Sequence, residues 1–160
     1  MQNQHLENIW FRAVIDNPAY IDATDVSFFK NTDYQEAFKV IKSFWKKYQQ
    51  IPSKIQVRES AKLLKLDDKL TDSLLDSMWL INLEDYDSEW LQQNVESWVE
   101  WKTLEKSAVD SINYIRSTEV TPDNIKDVIN TYKSIVVDRN KVDFSFDMGL
   151  NFRDLSLIHI

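Results

Sequence analysis

Residues 88–117 read SEWLQQNVESWVEWKTLEKSAVDSINYIRS, a run without a glycine or a proline. Nothing in it interrupts a helix, and the apolar positions recur at helical spacing. At roughly 100° per residue, Trp90, Trp98, Trp101, Leu104, Ala108, Ile112 and Ile115 share one face, while Val95 and Val99 point nearly opposite. The first half is therefore apolar on two sides and the second half on one. Two-sided burial suits a helix inserted into a bundle; one-sided burial suits a helix with a single partner. The expectation is a long helix whose second half protrudes and pairs with the segment after it.

That segment opens with Thr121-Pro122, an N-cap followed by proline at the first helical position. Ile125, Val128, Ile129, Tyr132, Ile135 and Val136 then fall on one stripe. Two one-sided helices joined by a short connection predict an antiparallel helical hairpin. Trp101, Ile112, Tyr132 and Ile135 are too large for two stripes to satisfy each other fully, so they are the candidate interface residues. After Asn140, the stretch Lys141-Val142-Asp143-Phe144-Ser145-Phe146-Asp147-Met148-Gly149 alternates without a partner strand and reads as a linker.

Upstream, Leu6, Ile9, Trp10, Ala13 and Val14 make the stripe of a first helix that ends before Asn17-Pro18. Asp25 to Phe29 reads as a single turn anchored by Phe28 and Phe29. Thr32 with Gln35 has the spacing of a capping box, and Tyr34, Ala37, Phe38, Ile41, Phe44, Trp45 and Tyr48 give the next helix a wide apolar face, ending near Ile51-Pro52. Ser53 caps a helix with Val57, Ala61 and Leu64; Asp67 or Asp68 caps another with Leu70, Leu74, Leu75 and Met78.

The composition agrees with this reading. In 160 residues there are one Gly, three Pro, six Trp, eight Phe and six Tyr. That leaves few positive-φ turns for hairpin strands and ample apolar surface for a core. The fold class expected is all-α. Cysteine is absent, no basic start precedes an apolar run, and no stretch has the length of a membrane span. A soluble, cytoplasmic protein with no membrane partner is expected. A formal charge of −7 repels a phosphate backbone, so no direct nucleic-acid binding is expected.

Chemistry-bearing motifs are scarce. The one glycine, Gly149, is not followed by the Gly-Lys-Ser/Thr of a phosphate-cradling loop, and the two histidines, His5 and His159, lie near the termini. No catalytic, cofactor or metal residues are assigned. Glu84, Asp85, Asp87 and Glu89 could be drawn as a cation site, but acidic residues at a helix N-terminus have the plainer explanation of the macrodipole. Lys39, Lys42, Lys46 and Lys47 beside Trp45 and Tyr48 could meet nucleic acid or an acidic partner; a solvated face is the plainer reading. Trp90, Trp98 and Trp101 could be a binding hot spot, though a tryptophan stripe at helical spacing is more often core.

The order bundle, hairpin, linker resembles the N-terminal domain of DnaB-type replicative helicases, most closely the T-even phage branch. Three stretches carry it: Leu6 to Asp16 with Pro18-Ala19-Tyr20; Phe28-Phe29 ahead of Tyr34 to Lys42 and Ile51-Pro52-Ser53; and Trp90 to Ile115 with Ile125 to Asp138, followed by Phe144 to Asp154 in the place of the linker. Between Ile55 and Asp87 the bacterial pattern's glycine pair is missing, so no primase-contact residues carry over. The resemblance implies a collar domain that mediates assembly into a ring, hexameric in the parent protein, and docks a primase or helicase loader. ATP and Mg would belong to an ATPase domain beyond the linker. The alternative is a stand-alone helicase loader or the helicase-binding adaptor domain of a primase.

Leu155-Ser156-Leu157-Ile158-His159-Ile160 resembles the translation of a transposase end sequence used in sequencing libraries. The expected organisation is therefore a bundle over 1–87, a hairpin over 88–140 in the same unit, a linker over 141–154 and a non-native tail over 155–160, with the native chain continuing past Asp154.

Overall fold

The computed structural model describes residues 4–138 together with Val142 and Phe144. The fold is all-α: among the described residues there are helices and 3-10 turns and no strand. The helices are α1 (Gln4–Val14), α2 (Pro18–Ala23), α3 (Thr32–Tyr48), α4 (Lys54–Leu63), α5 (Asp72–Trp79), α6 (Ser88–Ser117) and α7 (Ile125–Asp138). Short 3-10 turns cover Val26–Phe28 and Leu83–Asp85.

The helix starts follow from side-chain oxygens that take up otherwise unpaired backbone N–H groups. Asn17 accepts from the Ala19 N–H at 2.9 Å, and Pro18 follows it at the first helical position, so the motif that ends α1 also begins α2, a helix the sequence reading did not place. Asn31 caps α3, accepting from the Asp33 N–H at 2.8 Å. The expected box of Thr32 with Gln35 does not form, because Gln35 Nε2 reaches back instead to the Phe29 carbonyl at 2.6 Å. Ser53 and Gln56 do make a reciprocal box on α4, at 3.2 and 2.9 Å. Thr71 caps α5 where Asp67 or Asp68 was expected, and Asp87 caps α6. The last turn of α3 closes with Gln49 in the left-handed region, its N–H on the Trp45 carbonyl at 2.8 Å, which turns the chain into Ile51-Pro52.

The core lies where α1, the turn at Val26–Phe28, α3 and the first half of α6 converge. Phe11, Phe29, Phe38, Ile21, Ile41, Val57, Leu75, Val95 and Val99 have almost no exposed surface. Aromatic rings fill the middle: Phe11 stacks on Tyr34 at 4.6 Å, and Phe29 meets Phe38 at 5.3 Å and Trp98 at 5.2 Å. Each fully buried ring or branched aliphatic side chain is worth about 1.5–3 kcal/mol. Side chains also bond across elements. Glu7 accepts from the Asn31 N–H at 2.9 Å, and Trp45 Nε1 donates to Asp22 at 2.9 Å. These bonds fix α1 and α2 against α3.

The long helix differs from expectation in how its faces are used. Val95, Trp98, Val99 and Lys102 are buried within a single arc of about 100°. The first half is thus buried on one side, not two, and Trp98 turns into the bundle, away from Trp101. Past Lys102, the buried residues of α6 are Ser107 and Ser111, nearly opposite that arc. There α7 packs against α6 after a connection over residues 118–124.

Candidate assembly surface

The seam between α6 and α7 is made of small side chains on one helix and branched ones on the other. Ser107 and Ser111 are buried on α6, with Ser111 Oγ donating to the Ala108 carbonyl at 2.8 Å. Val128 and Ile135 are the buried apolar residues of α7. Serines one helical turn apart let the second helix approach closely, and the expected partner for the α7 stripe, the row from Trp101 to Ile115, is not used. Ahead of α7, Asn124 accepts from the Thr121 N–H at 2.7 Å and donates to the Glu119 carbonyl at 2.9 Å, while the Thr121 carbonyl accepts from the Ile125 N–H at 3.1 Å, which closes the connection into the helix.

The stripe that should have filled the seam is left in water. Trp101 is 63% exposed, and Leu104, Ile112 and Ile115 are each nearly half exposed. On α7, Ile125, Ile129 and Tyr132 are exposed to a similar degree. Their position follows from helical geometry. On α6 this stripe lies roughly a quarter turn from the serine seam, and on α7 the exposed residues lie roughly a quarter turn, in the same rotational sense, from Val128 and Ile135. Because α7 runs back along α6, the two offsets fall on the same side of the pair. The result is one continuous apolar face built from two helices.

Of the four expected interface residues, Trp101, Ile112 and Tyr132 stand on this face. Ile135, at 8% exposure, is instead part of the seam. Leu104, Ile115, Ile125 and Ile129 belong to the face and were not singled out in the sequence, although the stripes contained them. Within this stretch Lys106 pairs with Asp110 at 3.3 Å, and Glu105, at the edge of the face, pairs with Lys102 at 3.4 Å.

The other candidate features are dispersed by the fold. Lys39 pairs with Glu36 at 3.2 Å, while Lys42 turns inward to the Thr24 carbonyl at 2.6 Å. Burial lowers the Lys42 pKa, with Lys46 adding to the effect and Asp25 and Asp22 opposing it. The basic strip of α3 is therefore not one surface. Asp87 is occupied in capping α6, and Trp90 stacks on Tyr86 at 5.8 Å. Among the described residues no group of three or more His, Cys, Asp or Glu could hold a metal ion, and no helix is long and apolar enough to cross a membrane. An open cleft of about 280 Å³ is lined by Ser27, Phe28, Lys102, Glu105, Lys106, Val109 and Asp110, and the two ion pairs just named sit in its wall.

Val142 and Phe144, expected in a linker, lie against the core. The rest of the expected linker over 141–154, with Gly149, and the tail over 155–160 fall outside the described residues. No family model, no curated protein and no solved structure matches this chain.

Proposed function

We propose that this chain is an assembly and docking module of the kind that forms the collar of DnaB-type replicative helicases, with no catalysis of its own. The observation that carries the proposal is the apolar face on α6 and α7, which lies apart from a core that is already complete without it. A soluble monomer rarely leaves a contiguous apolar patch of this kind uncovered, and such patches mark interaction sites. Seven large apolar side chains stand exposed on this face, Trp101, Leu104, Ile112 and Ile115 from α6 and Ile125, Ile129 and Tyr132 from α7.

The occupant we assign to it is a second copy of this chain. The face is made of rows of large apolar side chains on two helices, so it suits another helical pair of the same character. In the proposed setting such contacts arrange subunits into a ring, and the bundle remains outward for a primase or helicase loader. The sequence resemblance supports the same reading, since its third stretch spans both α6 and α7.

Light scattering over a concentration series tests the proposal. A mass rising above the 19.0 kDa of one chain is expected. A species that stays monomeric up to the highest soluble concentration would contradict it.

A further inference from the structure

The helix α7 is attached to the rest of the chain through the seam with α6 and through the segment just past its end. Only Val128 and Ile135 are buried among its apolar residues whose surroundings are described. An isolated helix of this length is marginal in water, so α7 depends on its attachments to stay formed. The second attachment lies just past its end. The ring of Phe144 meets Tyr20 edge-on, with centroids 5.7 Å apart and planes at 85°, and Val142 also lies against the core. Tyr20 stands on α2 and is itself buried, and α2 in turn packs against α6. The chain that leaves the bundle along α6 therefore returns to it within a few residues of Asp138.

We propose that Val142 and Phe144 form a strap that fastens the end of α7 to the bundle, with Phe144 as its anchor on Tyr20. The tether from Asp138 to Phe144 is short, so the aromatic contact is intramolecular at high effective concentration, and a modest pair energy suffices to keep it closed. Held at its start by the connection over 118–124 and at its end by the strap, α7 cannot roll on the serine seam. Its exposed residues Ile125, Ile129 and Tyr132 stay on the same side as the α6 stripe. Releasing the strap frees α7 to turn or to leave, and the two-helix face divides. The strap does not rest on the assembly reading, because it acts within one chain.

Hydrogen exchange followed by mass spectrometry on the whole chain, diluted until it is monomeric, tests this. In Phe144→Ala the amides of α7 should exchange about fivefold faster than in the wild type, while those of α1 and α3 keep their protection. Phe144→Leu, which keeps apolar volume but not the edge-on ring contact, should fall between the two. Unchanged exchange in α7 would overturn the strap, since the seam alone would then hold the helix. Equal acceleration in α1, α3 and α7 would also overturn it, by making Phe144 an ordinary part of the core.

Discussion

Trp10 and Trp98 stack face to face, ring centroids 5.3 Å apart and planes 15° from parallel, and this contact joins the first helix to the longest one. Trp98 also touches Phe28 and Phe29, so one side chain connects α1, the turn before α3, and α6. Trp101, one turn further along, is mostly in water. Two tryptophans three residues apart should therefore respond in opposite ways to truncation. Trp98→Ala should cost about 3–5 kcal/mol, and Trp101→Ala should stay within about 0.5 kcal/mol, in urea unfolding of the monomer. Similar losses for both would mean that α6 is rotated from the position described.

The half-buried hydroxyl of Tyr34 gives a pH signature. Burial, then the negative charges of Glu7 and Asp33, hold its pKa above the usual 10.0, and the hydroxyl donates to Asn8. A group whose folded pKa is raised contributes stability that is fully present below the unfolded value and lost as pH rises through the folded one. Melting temperatures from pH 8 to pH 11 should therefore fall less steeply for Tyr34→Phe than for the wild type. Parallel curves would show that Tyr34 ionises as freely in the folded chain as in the unfolded one.

The reciprocal bonds of Ser53 and Gln56 are the single capping box described in the fold, and they start the helix that carries the buried Val57 and Ala61. Ser53→Ala should lower stability by about 1 kcal/mol, with Ser53→Asp retaining most of it. Chemical denaturation of the three proteins distinguishes this from a merely exposed serine, for which all three midpoints would coincide.

The helices were legible because helical spacing and the lack of glycine leave few alternatives, and α3, α4 and α6 fall where the stripes put them. Which residue caps a helix was less so. Thr71 rather than Asp67 starts α5, because any Ser, Thr, Asp or Asn within a few residues satisfies the same local rule and packing chooses among them. Pro18 was read as the end of one helix, although Asn-Pro is equally the beginning of another. The largest difference lies on α6. Angle alone grouped Trp98 with Trp101, but a residue 60° from the centre of a stripe can be claimed by either neighbouring face, and the aromatic cluster of Phe28 and Phe29 claims Trp98. Nothing in a single sequence weighs Ser107 and Ser111 as a packing seam, since small polar residues on a helix read as solvated. The exposure of the row from Trp101 to Ile115 follows from that seam.

The chain carries no glycine-lysine loop able to cradle phosphates. ATP with Mg should leave its melting temperature unchanged in a thermal-shift titration, whereas tight binding at a hundredfold excess over Kd would add about 2.7 kcal/mol. A rise of several degrees would require a nucleotide site of another kind.

Under the proposed function, copies of this chain meet at the apolar face of α6 and α7. Sedimentation velocity of the wild type, Ile112→Asp and Ile129→Asp at matched concentrations, with circular dichroism on the same samples, tests it most directly. Both substitutions place a charge on the exposed face and leave Ser107, Ser111, Val128 and Ile135 in the seam. The wild type should associate, and both variants should sediment as monomers with the helical signal intact. Variants that associate as the wild type does, with the same helical signal, would contradict it.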